Sequence, residues 1–371
     1  MKRSLLVLSL LLIAVPSFAQ RRRAVATTTV PLFPDCSSVD GTPAVTFSRD
    51  RGATLAPVIQ KLDGIGYSYG LAILTDDLLL ATHKQTLALS TDGGCTWRGI
   101  GTLEGEQFYR ITTGANGRNY IWDDNRDDLV RYDIPAGALT KLKPPVSTIG
   151  LGTDPADGRH IIIGGSDGTV WESRDAGVTW TQRGSLPRLT FPIYYRFEFD
   201  ARDVNHIVAG VANNGAYYTG DGGLTWLKSS IAGSTETNVF SIVISPVNRD
   251  IVWAMGINLQ ESNANVPSHG RHIYLSTDGG ATFFPDVDES ATVHLVNQPV
   301  MAADPRNADV LYFIFGTYFQ GYGTDIYRYD AAARALETFH NDYDDINAIA
   351  ISQSHEGVMY FGLETEKRTA P

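Results

Sequence analysis

The sequence predicts an all-β protein, a seven-bladed β-propeller whose closing blade is shared between the N-terminal and C-terminal strands. Three observations support this prediction: one eight-residue phrase occurs five times, two weaker copies fill the gaps in the series, and each end of the chain supplies only half of a blade. Repeats of about 40 to 50 residues, each with several short strands, are typical of propeller blades.

The repeated phrase has the form Ser/Thr-x-Asp-x-Gly-x-Thr, followed by an aromatic residue or, in the first copy, Leu. It occupies residues 48–55, 90–97, 173–180, 219–226 and 276–283. In a tight hairpin the Asp carboxylate accepts turn N–H groups and the Gly adopts a positive φ. We therefore predict a structural role for the five phrase carboxylates, which are Asp50, Asp92, Asp175, Asp221 and Asp278.

Two weaker copies of the phrase, around Asp133 and Asp330, complete the series. The seven repeat Asp residues then lie 41 to 57 residues apart, which is close to the length of a four-stranded blade. The count of seven repeats predicts seven blades.

The two ends of the chain predict how the ring closes. Residues 346–352 and 358–363 form a last pair of apolar strands with no phrase after them, while the first phrase, within residues 44–55, has no such pair before it. We expect two strands from each terminus to share one blade, because this removes an open sheet edge. The predicted propeller comprises residues 41–366.

The N-terminus has the pattern of a secretory signal peptide, predicted at residues 1–19. Lys2 and Arg3 precede an apolar run at residues 5–15, and small residues precede the expected cleavage site before Gln20. The run is shorter than the ~20 residues that a membrane-spanning helix needs. We therefore expect a secreted or periplasmic protein.

The segments that flank the propeller are predicted to be a flexible leader at residues 20–40 and a tail at residues 367–371. No cysteine follows the signal directly, since the first one is Cys36, so no lipid anchor is expected. In an oxidising compartment Cys36 and Cys95 can form a disulfide, and two separate buried thiols are the alternative. The net charge of −11 disfavours nucleic acid as a partner.

The repeated phrase resembles the Asp-box, or BNR repeat, of sialidases, xyloglucanases, sortilin-type domains and photosystem II assembly propellers. The resemblance implies a propeller fold, and it implies glycoside hydrolysis only in some of these families. Tyr109-Arg110-Ile111-Thr112 is similar to a sialidase motif, Phe-Arg-Ile-Pro, but lacks its proline. Seven repeats also differ from the six blades of sialidases, and one ring differs from the two of xyloglucanases.

One predicted inner strand carries charges where the other blades carry small or uncharged residues. Arg196 and Glu198 are two residues apart, so they share a face of the strand, and Asp200 follows on the same face. The corresponding positions of four other blades are Gly150 and Gly152, Ser241 and Val243, Val300 and Ala302, and Ala348 and Ala350. We expect either an ion pair or a ligand-binding or catalytic group for glycoside cleavage.

Acidic clusters within residues 123–128 and 342–345 contain enough oxygen ligands for calcium, although neither follows the EF-hand pattern. Solvated loops are the favoured interpretation and calcium is the alternative. We predict no other cofactor and no specific metal site.

Two insertions between the second and third strands of adjacent blades, at residues 259–270 and 316–324, are predicted on the rim opposite the Asp-boxes. The second contains Tyr318, Phe319 and Tyr322, which form either a recognition patch or a small core of the insertion itself. The sequence thus favours a monomeric, non-catalytic binding or scaffold module with a protein or carbohydrate ligand. A glycoside hydrolase of the sialidase or xyloglucanase type is the alternative.

Overall fold

Seven β-sheets form the blades of this protein, seen in a computed structural model that describes residues 32–41, 44–59, 69–104, 108–123, 128–317, 322–341 and 346–363. The described residues from Phe33 onward belong to one compact unit. The predicted signal peptide, the tail and most of the leader lie outside the described residues.

Each of the first six blades contains four strands that follow one another along the chain, and neighbouring strands are antiparallel. We call these strands A to D. The first four blades contain β2 (Leu71–Ile73), β3 (Leu79–His83), β4 (Thr86–Ser90), β5 (Arg98–Thr102), β6 (Tyr109–Thr113), β7 (Arg118–Asp123), β8 (Leu129–Asp133), β9 (Ala138–Leu142), β10 (Thr148–Thr153), β11 (Ile161–Gly165), β12 (Thr169–Ser173), β13 (Thr181–Ser185), β14 (Tyr194–Asp200), β15 (Asp203–Val211), β16 (Gly215–Thr219) and β17 (Leu227–Lys228).

The fifth blade has an additional strand, β18, which pairs in parallel with the blade's outer strand. The fifth and sixth blades contain β18 (Ser230–Ile231), β19 (Thr237–Ile244), β20 (Val252–Asn258), β21 (Arg271–Ser276), β22 (Thr282–Asp288), β23 (Met301–Ala303), β24 (Val310–Thr317), β25 (Gly323–Asp330) and β26 (Ala335–Asn341). Among the described residues the only α-helix, α1 (Leu259–Asn263), lies between β20 and β21, and short 3-10 turns occur at Ala115–Gly117 and Ile134–Ala136. None of the described helices is long and apolar enough to cross a membrane.

The seventh blade is built from both ends of the chain, as predicted. Its strand order is β27 (Ile346–Ile351), β28 (Met359–Leu363) and β1 (Val45–Ser48). The N-terminus contributes one regular strand, β1, instead of the expected two. After β1 the chain continues along its edge with one backbone hydrogen bond, from the Ala56 N–H to the Phe47 carbonyl at 2.8 Å, and the Thr46 hydroxyl donates to the Ala56 carbonyl.

Residues 33–40, which we expected in a flexible leader, belong to the compact unit. Val39 is fully buried, and its N–H donates to the Pro57 carbonyl at 2.9 Å. Cys36 forms a disulfide with Cys95 in the first blade. The segment is fixed by contacts with residues distant in sequence, so its composition alone did not predict its order.

The five Asp-boxes have the same hydrogen bonds. In every box the Thr N–H donates to one Asp oxygen at 2.8 to 2.9 Å, and the Thr hydroxyl donates to the other at 2.6 to 2.7 Å. The first Ser or Thr of the box donates to the same carboxylate at 2.7 to 2.8 Å. These bonds explain the sequence phrase, because each polar residue of the phrase has its partner within the turn.

The two weaker copies form different turns. After Asp133 the chain makes the 3-10 turn Ile134–Ala136 and Gly137 adopts a φ of 59°, while the Asp330 carboxylate accepts the Ala333 N–H at 3.0 Å. Blade number is therefore preserved although the turn chemistry changes.

Of the two predicted insertions, the first lies between β20 and β21 and contains α1. The second is shorter than predicted, because Gly316 pairs with Thr324 in the β24–β25 ladder. Strand pairing extends the hairpin, so only residues 318–322 separate the two strands.

Candidate binding site in the axial channel

The A strands line a channel along the axis of the ring, and glycines in β10 let its neighbour β14 come very close. A Cβ atom added to Gly150 would lie 2.1 Å from the Phe197 carbonyl oxygen, and one on Gly152 would lie 2.5 Å from the Phe199 ring. This close approach explains why β10 has glycine at both positions. It also places β14 at the channel wall with its charged side chains.

Arg196 and Glu198, predicted to share a face of their strand, both line the channel. The Arg196 Nε lies 3.3 Å from the Glu198 Oε2, and the two side chains are 22% and 25% exposed. The Arg196 guanidinium also lies 5.4 Å from the centre of the Trp122 ring, within the range of a cation–π contact. The pair is thus held in place yet remains accessible from the channel.

Burial in the channel raises the pKa of Glu198 above its ordinary value, although Arg196 and Arg110 act in the opposite direction. Desolvation disfavours the carboxylate more than these cations favour it. Arg110, in β6, lines the same channel, so the partial sialidase motif does place an arginine there.

Asp200, expected on the same face, has a structural role. Its Oδ1 accepts the Arg202 N–H at 2.9 Å in the turn between the A and B strands, and its side chain is only 1% exposed. Asp154 and Asp304 make the same bond at the same place in their blades, at 2.8 Å in each case. The backbone register shifts between Phe199 and Asp200, which ends the alternation on which the expectation rested. Asp200 thus lines the first cavity, but its side chain is almost fully buried and its Oδ1 is bound within the A–B turn.

The channel contains two overlapping cavities of about 560 and 540 Å³. The first extends toward the A–B turns, on the side of the Asp-boxes, and the second extends toward the starts of the A strands. We call these sides the Asp-box rim, defined by the five Asp-boxes, and the opposite rim, defined by the B–C turns and the connections from D to the next A. Arg110, Arg196 and Glu198 line both cavities, so they lie where the cavities meet.

Aromatic side chains surround the cavity on the opposite rim. The Tyr69 and Phe108 ring centres are 4.9 Å apart, and those of Tyr195 and Phe240 are 4.7 Å apart. Tyr194 lines the same cavity. Sequence reasoning missed this group, which we call the aromatic mouth, although Tyr195 and Phe240 directly precede the aligned positions Arg196 and Ser241 and so share a repeat position.

The predicted recognition patch is only partly described. Tyr322 is 40% exposed, and its hydroxyl donates to the Asp325 carboxylate at 2.7 Å, while Tyr318 and Phe319 lie outside the described residues. The Tyr322 ring packs edge-on against Phe315 and His340. Tyr322 thus has one face in a small aromatic cluster and part of its surface in solvent.

The acidic clusters considered for calcium lie largely outside the described residues. Within the described part of the chain, no group of three or more His, Cys, Asp or Glu side chains is arranged to hold a metal ion. Asp123 is described and is almost fully buried.

Fold and site together define a seven-bladed β-propeller of the Asp-box type with a charged axial channel. No family model matches the chain. It is 44% identical over 336 residues to the dispase autolysis-inducing protein of Streptomyces mobaraensis, with 89% of each protein covered. The chain belongs to the family of that protein.

Solved structures with a similar fold include proteins with different activities. A streptogramin B lyase has a TM-score of 0.59 at 12% identity, covering 86% of this chain and 96% of its own. YCF48 bound to a D1 peptide has a TM-score of 0.57 at 10% identity, covering 88% and 99%. An ancestral GH74 enzyme has a TM-score of 0.55 at 14% identity, covering 87% of this chain but 46% of the enzyme. At these identities the similarity concerns the fold alone.

Proposed function

We propose that this chain is a secreted, monomeric, non-catalytic propeller that binds a protease and promotes its autolysis. The observation that carries the proposal is the 44% identity to the dispase autolysis-inducing protein along 89% of both chains. A propeller can support such an activity without chemistry of its own, because loops on a rigid ring form a stable recognition surface.

The channel geometry supports binding over catalysis. Glycoside hydrolysis by the usual mechanism needs two carboxyl groups on either side of the scissile bond. Here Glu198 is paired with Arg196, and Asp200 is bound within a turn. The site thus offers one carboxylate of the predicted pair to a ligand.

The direct test is to incubate the purified secreted protein with dispase and to follow the loss of intact dispase by gel electrophoresis. We expect faster conversion of dispase to fragments than with dispase alone, and no cleavage of casein by this chain by itself. A boiled sample of the same chain is the control. Equal rates of dispase loss with native and boiled protein would refute the proposal.

A glycoside hydrolase remains the second candidate because Glu198 lies in a channel and burial raises its pKa, as for a general acid. Aryl glycosides and xyloglucan are the substrates to test. Turnover that Glu198→Gln abolishes would establish the enzyme, and we expect no turnover.

We propose that Tyr318, Phe319 and Tyr322 contribute to the partner-binding surface. Replacing all three by Ala is expected to weaken the effect on dispase. The variant also loses the Tyr322 bond to Asp325 and the ring contact with Phe315, so folding is checked by the melting temperature. Tyr322→Phe is the matched control, since it keeps the ring and removes only the hydroxyl that bonds Asp325. Undiminished dispase autolysis with the triple variant would eliminate this surface.

Secretion is part of the proposal and rests on the signal-like N-terminus. Expression in a secreting bacterial host should release a protein whose N-terminal sequence begins at Gln20. Recovery of the chain in the cytosol with residues 1–19 intact would contradict it.

A further inference from the structure

The aromatic mouth and the arginines beneath it form a cavity with two chemically different levels. Tyr69, Phe108 and Tyr195 are only partly buried, so their rings contribute apolar surface to the cavity of about 540 Å³. The charged residues that line this cavity within the described ranges are Arg110, Arg196 and Glu198. Among the described residues, the cavity thus combines aromatic rings and polar side chains such as Ser241 and Asn297 in its walls with two arginines and one glutamate at its base.

Within the described residues, acidic side chains occur on both rims, including the exposed Glu104 and Asp288 on the opposite rim. On the Asp-box rim, burial raises the pKa of the five box carboxyls, but hydrogen bonds outweigh it and hold each pKa below the ordinary value. For Asp175 the bond from the Thr179 hydroxyl is the largest effect. That rim carries five carboxylates at neutral pH. Attraction for an anionic ligand therefore comes from Arg110 and Arg196 at the base of the mouth, and not from a difference in charge between the rims.

We propose that the aromatic mouth binds an acidic peptide segment of a partner protein, with carboxylates directed to Arg110 and Arg196 and apolar side chains packed against the rings. The inference deepens the proposed function, because it specifies which part of the propeller receives the partner. Arginine is suited to this role because it binds carboxylates with charge-assisted hydrogen bonds, and aromatic residues are frequent anchors of protein recognition.

The arrangement of the rings favours a peptide over a carbohydrate. In each aromatic pair the rings are tilted by 57° and 42° and lie within 5 Å of each other. Tilted partners cover part of each other's faces, so less flat surface remains for a sugar ring to stack on. Apolar side chains need no such flat platform.

The position of the site is consistent with the rest of the opposite rim. Tyr322 stands in a B–C loop, on the side where the A strands begin. A segment bound in the mouth would thus extend over the rim that carries the predicted recognition patch, and the two surfaces can act on the same partner.

The experiment is a selection of random heptapeptides displayed on phage against the purified full-length secreted protein. We expect enrichment of peptides that combine Asp or Glu with aromatic or aliphatic residues. The strongest binder, synthesised with a fluorescein label, should bind with about tenfold weaker affinity to Arg110→Gln, because one charge-assisted contact is lost. Arg110→Lys should restore part of the affinity.

Arg174→Gln is the matched control, because Arg174 lies in an Asp-box and its side chain is 70% exposed. It removes the same charge from the other rim and should leave peptide affinity unchanged. Arg196→Gln tests the second contact, and if that variant lowers the melting temperature, Arg110→Gln decides alone.

Selection without an acidic bias, or equal affinity for Arg110→Gln and the parent protein, would overturn the proposal. Binding of labelled trigalacturonate in the absence of any enriched peptide would assign the mouth to acidic carbohydrates and overturn it as well. None of these readouts involves dispase, so a negative result here is distinct from a negative result in the autolysis assay.

Discussion

Val45 in β1 lies opposite Gly362 in β28, so the first and last strands of the described chain are direct neighbours. The pairing continues to Ser48 and Met359, and the Leu363 N–H donates to the Ala44 carbonyl at 2.7 Å. The ring is thus closed by backbone hydrogen bonds between its two ends.

Removing either end of the closing blade is expected to unfold the whole ring. Deletion of residues 41–55 leaves an unpaired strand edge and exposes Phe361, and deletion of residues 344–371 does the same to Phe47; both side chains are buried in the present structure. We expect aggregated protein on size-exclusion chromatography. Deletion of residues 367–371 alone is the control, and a monomeric 344–371 deletion with an unchanged melting temperature would contradict the closure.

The Cys36–Cys95 disulfide is expected to stabilise the N-terminal segment. The two cysteines are 59 residues apart, and closing a loop of this size contributes about 4 kcal/mol in the chain-entropy model. A Cys36→Ser, Cys95→Ser double variant should therefore melt at a lower temperature than the parent protein. Thiol titration of the denatured, unreduced protein provides the independent check: two free thiols would disprove the bond.

Gly150→Ala is expected to destabilise the protein by about 1 to 3 kcal/mol, the usual cost of overpacking. The added methyl would clash with the Phe197 backbone carbonyl, which cannot move without displacing β14. Gly220→Ala is the matched control, because no atom lies within 4 Å of a Cβ at that position. The two variants are compared by chemical denaturation, and equal stability would show that β10 and β14 can separate easily.

The Asp-boxes predict a loss of stability in acid. Hydrogen bonds, of which that from the Thr179 hydroxyl has the largest effect, lower the pKa of Asp175 to about 2. Burial raises the pKa of Asp221, but its hydrogen bonds in the box lower it to about 2 as well. A carboxyl whose pKa is lowered by folding stabilises the protein above its ordinary pKa of 3.8 and loses this contribution as the pH falls toward 2. The melting temperature should therefore fall across this range.

Asp175→Asn identifies the source of that acid sensitivity. The variant should melt below the parent protein at pH 7, and the difference between them should shrink as the pH approaches 2. A difference in melting temperature that stays constant between pH 7 and pH 2 would show that Asp175 is not ionised in the fold.

The blade count could be predicted because the polar groups of each Asp-box form hydrogen bonds within the same eight residues. The sequence phrase therefore identifies the turn directly. Alignment of the inner strands also singled out Arg196 and Glu198, which line the channel. The role of Asp200 was also visible in principle, since Asp154 and Asp304 occupy the same turn position. The alternation of side chains along a strand predicted a different position for Asp200 than the repeated turn does.

The order of residues 33–40 and the meeting of Tyr69 with Phe108 could not be predicted from the sequence. Val39 is fixed by a bridge to Val58 and by the nearby disulfide, contacts that no local pattern encodes. Tyr69 and Phe108 meet only because adjacent blades converge at the axis. Such pairs depend on how blades are placed around the ring, which strand periodicity does not describe.

The parallel pairing of β18 with β22 links the fourth and fifth blades mechanically. Ser230 and Ile231 leave the outer edge of the fourth blade and align with Thr282 and Phe283 of the fifth. Because the chain between the blades is itself part of the neighbouring sheet, one blade cannot detach without breaking the outer edge of the other. In native-state hydrogen exchange these two blades should open as one cooperative unit, in contrast to blades joined only by loops.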